Sequence, residues 1–170
     1  GSTDSSNQSA DALRCDADGA SFVNVTFSGV QDTLYMDAGV QTYTNCRIEG
    51  SVDFIYSGDA AQALFNDCEI VYINAPGRTT GVICAPRTAA DDDCGLVFYR
   101  CSIIAEDGCP TGSLSLARPW GADAAVYWID CYMSDAVDMD ETYQEMSGND
   151  PANARFYECG SYGPGYGVNT

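Results

Sequence analysis

An aromatic residue followed three positions later by a small one recurs along this chain, and no other feature constrains the fold as strongly. The pairs are Phe22/Val25, Tyr43/Cys46, Phe65/Cys68, Phe98/Cys101, Trp128/Cys131 and Phe156/Cys159, spaced 21, 22, 33, 30 and 28 residues apart. The first two units agree further. Residues 24–35 (NVTFSGVQDTLY) and 45–56 (NCRIEGSVDFIY) share N-x-x-Φ-x-G-x-x-D-x-Φ-Y without a gap. Between the pairs lie short β-type runs such as FVNVTF, EIVYI, GLVFY and AVYWI, bounded by Gly, Asn, Asp and Pro. Only 134–146 carries a trace of helical period. One short unit repeated at variable length predicts an all-β chain folded as a right-handed parallel β-helix, shortened to a few coils. A β-sandwich competes, but it predicts no interior register shared by six units.

In a stack of coils, equivalent residues lie about 4.8 Å apart, the spacing of neighbouring strands. Cys46, Cys68, Cys101, Cys131 and Cys159 then form a buried column of small hydrophobes. Cys84, Cys94 and Cys109 read as loop residues, where a disulfide such as Cys84–Cys94 is more plausible than within the column. Nine cysteines cannot all pair within one chain, and none forms a C-x-x-C motif. The chain divides into an N-terminal stretch 1–7 that is disordered or added to the protein, one β-helix over 8–166, and a tail 167–170.

Composition prunes the chemistry. The 170 residues hold 25 acids and 7 bases, a formal charge of −18, with every base an arginine and no histidine. This excludes nucleophiles activated by histidine and metal sites built on imidazole. It also argues against nucleic acid or an anionic membrane as partner, because both are held by clustered Lys and Arg. Asp91-Asp92-Asp93 reads as a solvated acidic loop rather than a calcium site.

The repeat brings two carboxylates together. Asp32 follows Val25 by seven residues and Asp53 follows Cys46 by seven. If Val25 and Cys46 stack, the two aspartates sit on adjacent coils with Cα atoms about 5 Å apart. Carboxylates that close do not readily both ionise, which yields an acid beside a nucleophile or base. Turn aspartates bonding local amides would show the same pattern, and retaining glycosidases also use a close pair.

The surrounding residues narrow the choice. Residues 31–35 (QDTLY), 52–55 (VDFI) and 117–120 (ARPW), in that order, resemble the signatures of pectin methylesterases, β-helical esterases of pectin. The likeness extends over about 8–166 through YTNCRIEG at 43–50, TGVICAPRT at 80–88, EMSG at 145–148, RFYE at 155–158 and SYG at 161–163.

That resemblance implies roles residue by residue. Asp53 takes the position of the nucleophile that attacks the methyl ester carbonyl, and Asp32 that of the general acid/base. Gln31 matches a donor to the tetrahedral oxyanion. A second donor falls at Gln8, or at Ser9 when 12–14 are aligned without a gap. Arg118 matches the arginine paired with the nucleophile, favouring its ionised form while the neighbouring charge keeps Asp32 protonated. Trp120 matches an aromatic beside the sugar, with Tyr56 and Phe54 as further substrate-binding candidates. The reaction implied needs no cofactor and no metal. The expected partner is pectin (homogalacturonan), with neither nucleic acid nor membrane, and the chain is expected to be secreted. It is either a monomer or self-associated end to end through its first coil. The alternatives are a polygalacturonase-like glycan hydrolase and a catalytically impaired coil stack that binds carbohydrate or assembles.

Overall fold

The computed structural model describes residues 10–167. The expected 1–7 stretch, Gln8, Ser9 and all of the 167–170 tail except Gly167 lie outside the described residues.

The chain winds through successive coils of short strands, each on one of three faces. The first coil comprises Leu13–Cys15, Ala20–Val23 and Thr26–Ser28. In the next two coils the first two faces are crossed by one bent strand, Leu34–Thr44 and then Val52–Asn66, followed by Arg47–Gly50 and Glu69–Tyr72. The fourth coil resolves into Gly81–Pro86, Leu96–Tyr99 and Ser102–Ala105, and the fifth into Leu114–Ala117, Ala125–Ile129 and Tyr132–Met133. Arg155–Cys159 begins the last turn. Every ladder between these strands is parallel, and they gather into a nine-stranded and a five-stranded sheet. A strand in such a coil has no partner within its own turn. Its backbone groups bond along the stack to the coils on either side, which is the β-helix the repeat predicts.

Inward-facing side chains follow the register. Phe22, Tyr43, Phe65, Phe98 and Trp128 pair in sequence across the coils. Their rings stack face to face at centroid separations of 5.0, 4.7, 4.5 and 4.2 Å. Beside them Val25, Cys46, Cys68, Cys101 and Cys131 form the small-residue column, with the four thiols buried. The residue before each member, Asn24, Asn45, Asp67, Arg100 and Asp130, has φ between 50° and 57°. This left-handed corner turns the chain from one face to the next. Asn and Asp tolerate it better than most residues, which is why they dominate the column.

The sixth unit departs from expectation. Cys159 pairs with Ile129 rather than Cys131 and is exposed. Ser161 takes the column position instead, next to the Tyr132–Tyr162 bridge, and its Oγ accepts from the Cys131 N–H at 3.3 Å. Gly160 supplies the left-handed corner there, at φ 69°. The motif is thus displaced by two residues, and Glu158, not Phe156, faces Trp128. Cys84 is not in a loop but buried in Gly81–Pro86, whereas Cys94 is exposed, and all nine thiols are free. Residues 134–146 form no helix. Their backbone bonds to the preceding turn of the solenoid through Asp138 N to Leu114 O, Leu116 N to Thr142 O, and Gln144 N to Ala117 O.

Candidate active site

The aspartate pair is set by strand register. Gln31 bridges Val52 and Leu34 pairs with Ile55, so Asp32 lies directly over Asp53, with the Asp32 N–H donating to Val52 O at 3.2 Å. Both aspartates are left-handed, φ 56° and 48°. Unlike the other corners, these begin the face formed by Leu34–Thr44 and Val52–Asn66. The residues that follow, Thr33 and Phe54, turn inward and are fully buried. This corrects the assignment of Phe54 to substrate. Its ring fills the core against Gly50, where any Cβ would overlap it, and it is sealed from the surface that Asp53 reaches.

Arg118 closes the arrangement from two coils further on. It follows Leu114–Ala117, its N–H is held by Cys84 O at 2.9 Å, and Cys84 pairs in turn with Ile55. Its Nε donates to Asp53 Oδ1 at 2.7 Å and its Nη2 donates to Asp53 Oδ2 in a short contact. The Asp53 side chain is 8% exposed and that of Arg118 25%. Hydrogen bonding to Asp53 raises the Arg118 pKa above its ordinary value. Burial works against the rise, and the charges of Asp53 and Asp32 add to it. A two-point contact of this kind fixes the plane of the carboxylate as well as its charge.

Gln31, Asp32, Asp53, Tyr56 and Trp120 line one cavity of about 250 Å³, together with Ala85 and Met146. Two further hollows adjoin it. One shares Gln31 as a wall and contains Arg78; the other shares Trp120 and contains Arg87. The Trp120 loop is held by Asn149 Nδ2, which donates to Pro119 O and Trp120 O at 3.1 Å each. The Arg87 guanidinium lies 4.8 Å from the Trp120 ring centroid and pairs with Asp59. Tyr56 stacks on Tyr35 at 4.3 Å and donates to Asp11 Oδ1 at 2.6 Å. Burial, then that hydrogen bond, pushes its phenol pKa up.

Of the residues singled out in sequence, Gln31, Asp32, Asp53, Arg118, Tyr56 and Trp120 converge here. Gln8 lies outside the described residues. Met146 belongs to the EMSG motif and Ala85 to TGVICAPRT, but neither was given a role by sequence, and Asn149 carried no signal. Asp92 serves its own loop, accepting from the Cys94 N–H at 3.0 Å. Among the described residues no group of His, Cys, Asp or Glu could hold a metal ion, and no helix is long and apolar enough to cross a membrane.

A parallel β-helix with a carboxylate pair and an arginine beneath an aromatic-walled cleft defines a class of solenoid proteins. Within it, the chain belongs to the pectinesterase family, whose family model, described as Pectinesterase, matches residues 2–170. It is similar to Pectinesterase A of Emericella nidulans, 36% identical over 155 residues that cover 91% of this chain and 45% of the relative. Among solved structures it resembles a pectin methylesterase from Aspergillus niger, with TM-score 0.82 and 36% identity over 94% of this chain and 51% of that one. It also resembles a pectin methylesterase in complex with a hexasaccharide, with TM-score 0.76 and 28% identity over 90% and 52%. The chain spans about half the length of the curated relatives it matches.

Proposed function

We propose that the protein hydrolyses methyl esters of galacturonate units in pectin. The observation that carries this reading is the stacking of Asp32 on Asp53 with Asp53 gripped by Arg118, all beside a cavity walled by Trp120. An Asp53 carboxylate oxygen attacks the ester carbonyl carbon, forming a tetrahedral oxyanion that accepts from the Gln31 amide, with a second donor expected at Gln8 or Ser9. Each such donor is worth about 3 kcal/mol in the transition state. As the C–OCH₃ bond breaks, Asp32 gives its proton to the departing methoxide and methanol leaves. A water then adds to the acyl carbon while Asp32 takes its proton. The acyl bond to Asp53 breaks, both aspartates return to their starting states, and the galacturonic acid released gives its proton to solvent to become the carboxylate.

The substrate reading is supported by family membership and by the relative solved with a hexasaccharide. A polymer substrate also fits a cavity with a hollow on either side. With a formal charge of −18, the chain is set against nucleic acid and anionic membranes as partners. Because pectin lies outside the cells that make such enzymes, we assign the protein to the extracellular space. Incubation with esterified pectin should release methanol without new reducing ends. Reducing ends without methanol would instead identify a glycan hydrolase.

Self-association is a second proposal. Leu13, Phe22 and Val25 of the first coil are only partly buried, and Val23 is 55% exposed. A second copy covering this coil would extend both sheets. Light scattering over a concentration series should show growing mass, and a constant monomer mass would dismiss the idea.

A further inference from the structure

We infer that Arg78 is a positioning residue that orients the amide of Gln31, so that its NH₂ group rather than its oxygen faces the aspartate pair. The inference rests on the ester chemistry proposed above. Arg78 Nη2 donates to Gln31 Oε1 at 2.8 Å across 47 residues of sequence.

A glutamine amide has one accepting end and one donating end of nearly the same shape. Turned one way it stabilises an oxyanion; turned the other it repels one. Guanidinium carries donors only, so its partner here must be the amide oxygen. Gln31 forms the partition between two hollows: Arg78 lines one, and Asp32 and Asp53 line the other. With the oxygen drawn toward Arg78, the NH₂ group is left for the aspartate side. The positive charge against the oxygen also polarises the amide and strengthens its N–H donors.

Arg78 is unusual among its kind. Arg14, Arg47, Arg87, Arg100 and Arg118 all pair with carboxylates, and Arg155 donates to backbone carbonyls. Among the described residues Arg78 has no ion pair, although the chain holds 25 acids. Its loop is shaped to deliver it, with the Arg78 N–H bound to Ala75 O at 3.1 Å and Gly77 at φ 78°.

A double-mutant cycle on methanol release from esterified pectin tests the assignment. Arg78→Ala should lower kcat about 10-fold with KM within about 2-fold, as expected for weakening one oxyanion donor. Arg78→Lys, which still only donates, should recover part of the loss. In a Gln31→Ala background Arg78→Ala should add less than about 2-fold. Equal losses in both backgrounds, or a raised KM at constant kcat, would overturn the inference and make Arg78 a substrate contact. A second readout needs no turnover. The Gln31 side-chain NH₂ signals in a proton–nitrogen spectrum, assigned through Gln31→Ala, should move in Arg78→Ala and stay near their place in Arg78→Lys. Signals unmoved by Arg78→Ala would also overturn it. A wild-type chain that releases no methanol defeats the proposed function alone, and the spectrum still decides the role of Arg78.

Discussion

Asp53 and Arg118, 65 residues apart in sequence, meet through two hydrogen bonds at a place where Asp53 is 6% exposed. A carboxylate so enclosed depends on that guanidinium, and the fork geometry is specific to arginine. Arg118→Ala should therefore destabilise the fold by on the order of 3 kcal/mol, because it strands a buried charge. Arg118→Lys should restore part of the stability and little of the activity. Adding Asp53→Ala to Arg118→Ala should recover most of the stability loss. Urea unfolding of wild type, Arg118→Lys, the two alanine single mutants and their double mutant checks this, and an additive double mutant would show that the pair is not coupled.

The cysteine placement predicts a thiol titration. Cys94 and Cys159 are exposed, Cys109 is partly covered with its pKa raised by burial, and the other six are buried. A disulfide-exchange reagent should modify Cys94 and Cys159 quickly in the native protein and Cys109 slowly. The remaining thiols should react only on unfolding. Rapid reaction of Cys46, Cys68, Cys101 or Cys131 would mean that the interior column does not exist.

Glu158 gives the fold a pH dependence. It stands opposite Trp128, where the aromatic stack would otherwise continue, and its Oε1 accepts from the Tyr143 hydroxyl at 2.9 Å. Burial raises its pKa above the ordinary 4.5, and the Tyr143 bond partly offsets the rise. A carboxyl that holds its proton more tightly when folded stabilises the protein fully below its unfolded value. That contribution is lost as pH rises through the folded value. Glu158→Gln keeps an oxygen for Tyr143 and has no charge to bury. It should raise Tm at pH 7 and leave it unchanged near pH 4. Equal Tm values at both pH values would show a solvated carboxylate.

The parts of the structure written in a repeating pattern were legible in the sequence. The equal spacing of Asp32 from Val25 and Asp53 from Cys46 specified their stacking, because a parallel ladder conserves offsets as long as no residue is inserted. The same reasoning failed where spacing changed. Before the last turn the chain detours through 134–154, and the next aromatic-x-x-Cys, Phe156/Cys159, stands two residues out of register. Phe54 was misplaced because a left-handed Asp53 breaks the simple in-and-out alternation around it. Met146 reaches the cleft, and Arg78 the hollow beside it, from long connections, whose path depends on contacts across many residues rather than on local pattern.

The most direct test of the account compares wild type with Asp53→Asn in methanol release from esterified pectin, with circular dichroism and Tm recorded for both. Asparagine keeps the shape of the side chain and removes the nucleophile. The account predicts a loss on the order of 10³-fold or more with the β-helix intact. Undiminished methanol release by a folded Asp53→Asn protein would contradict it.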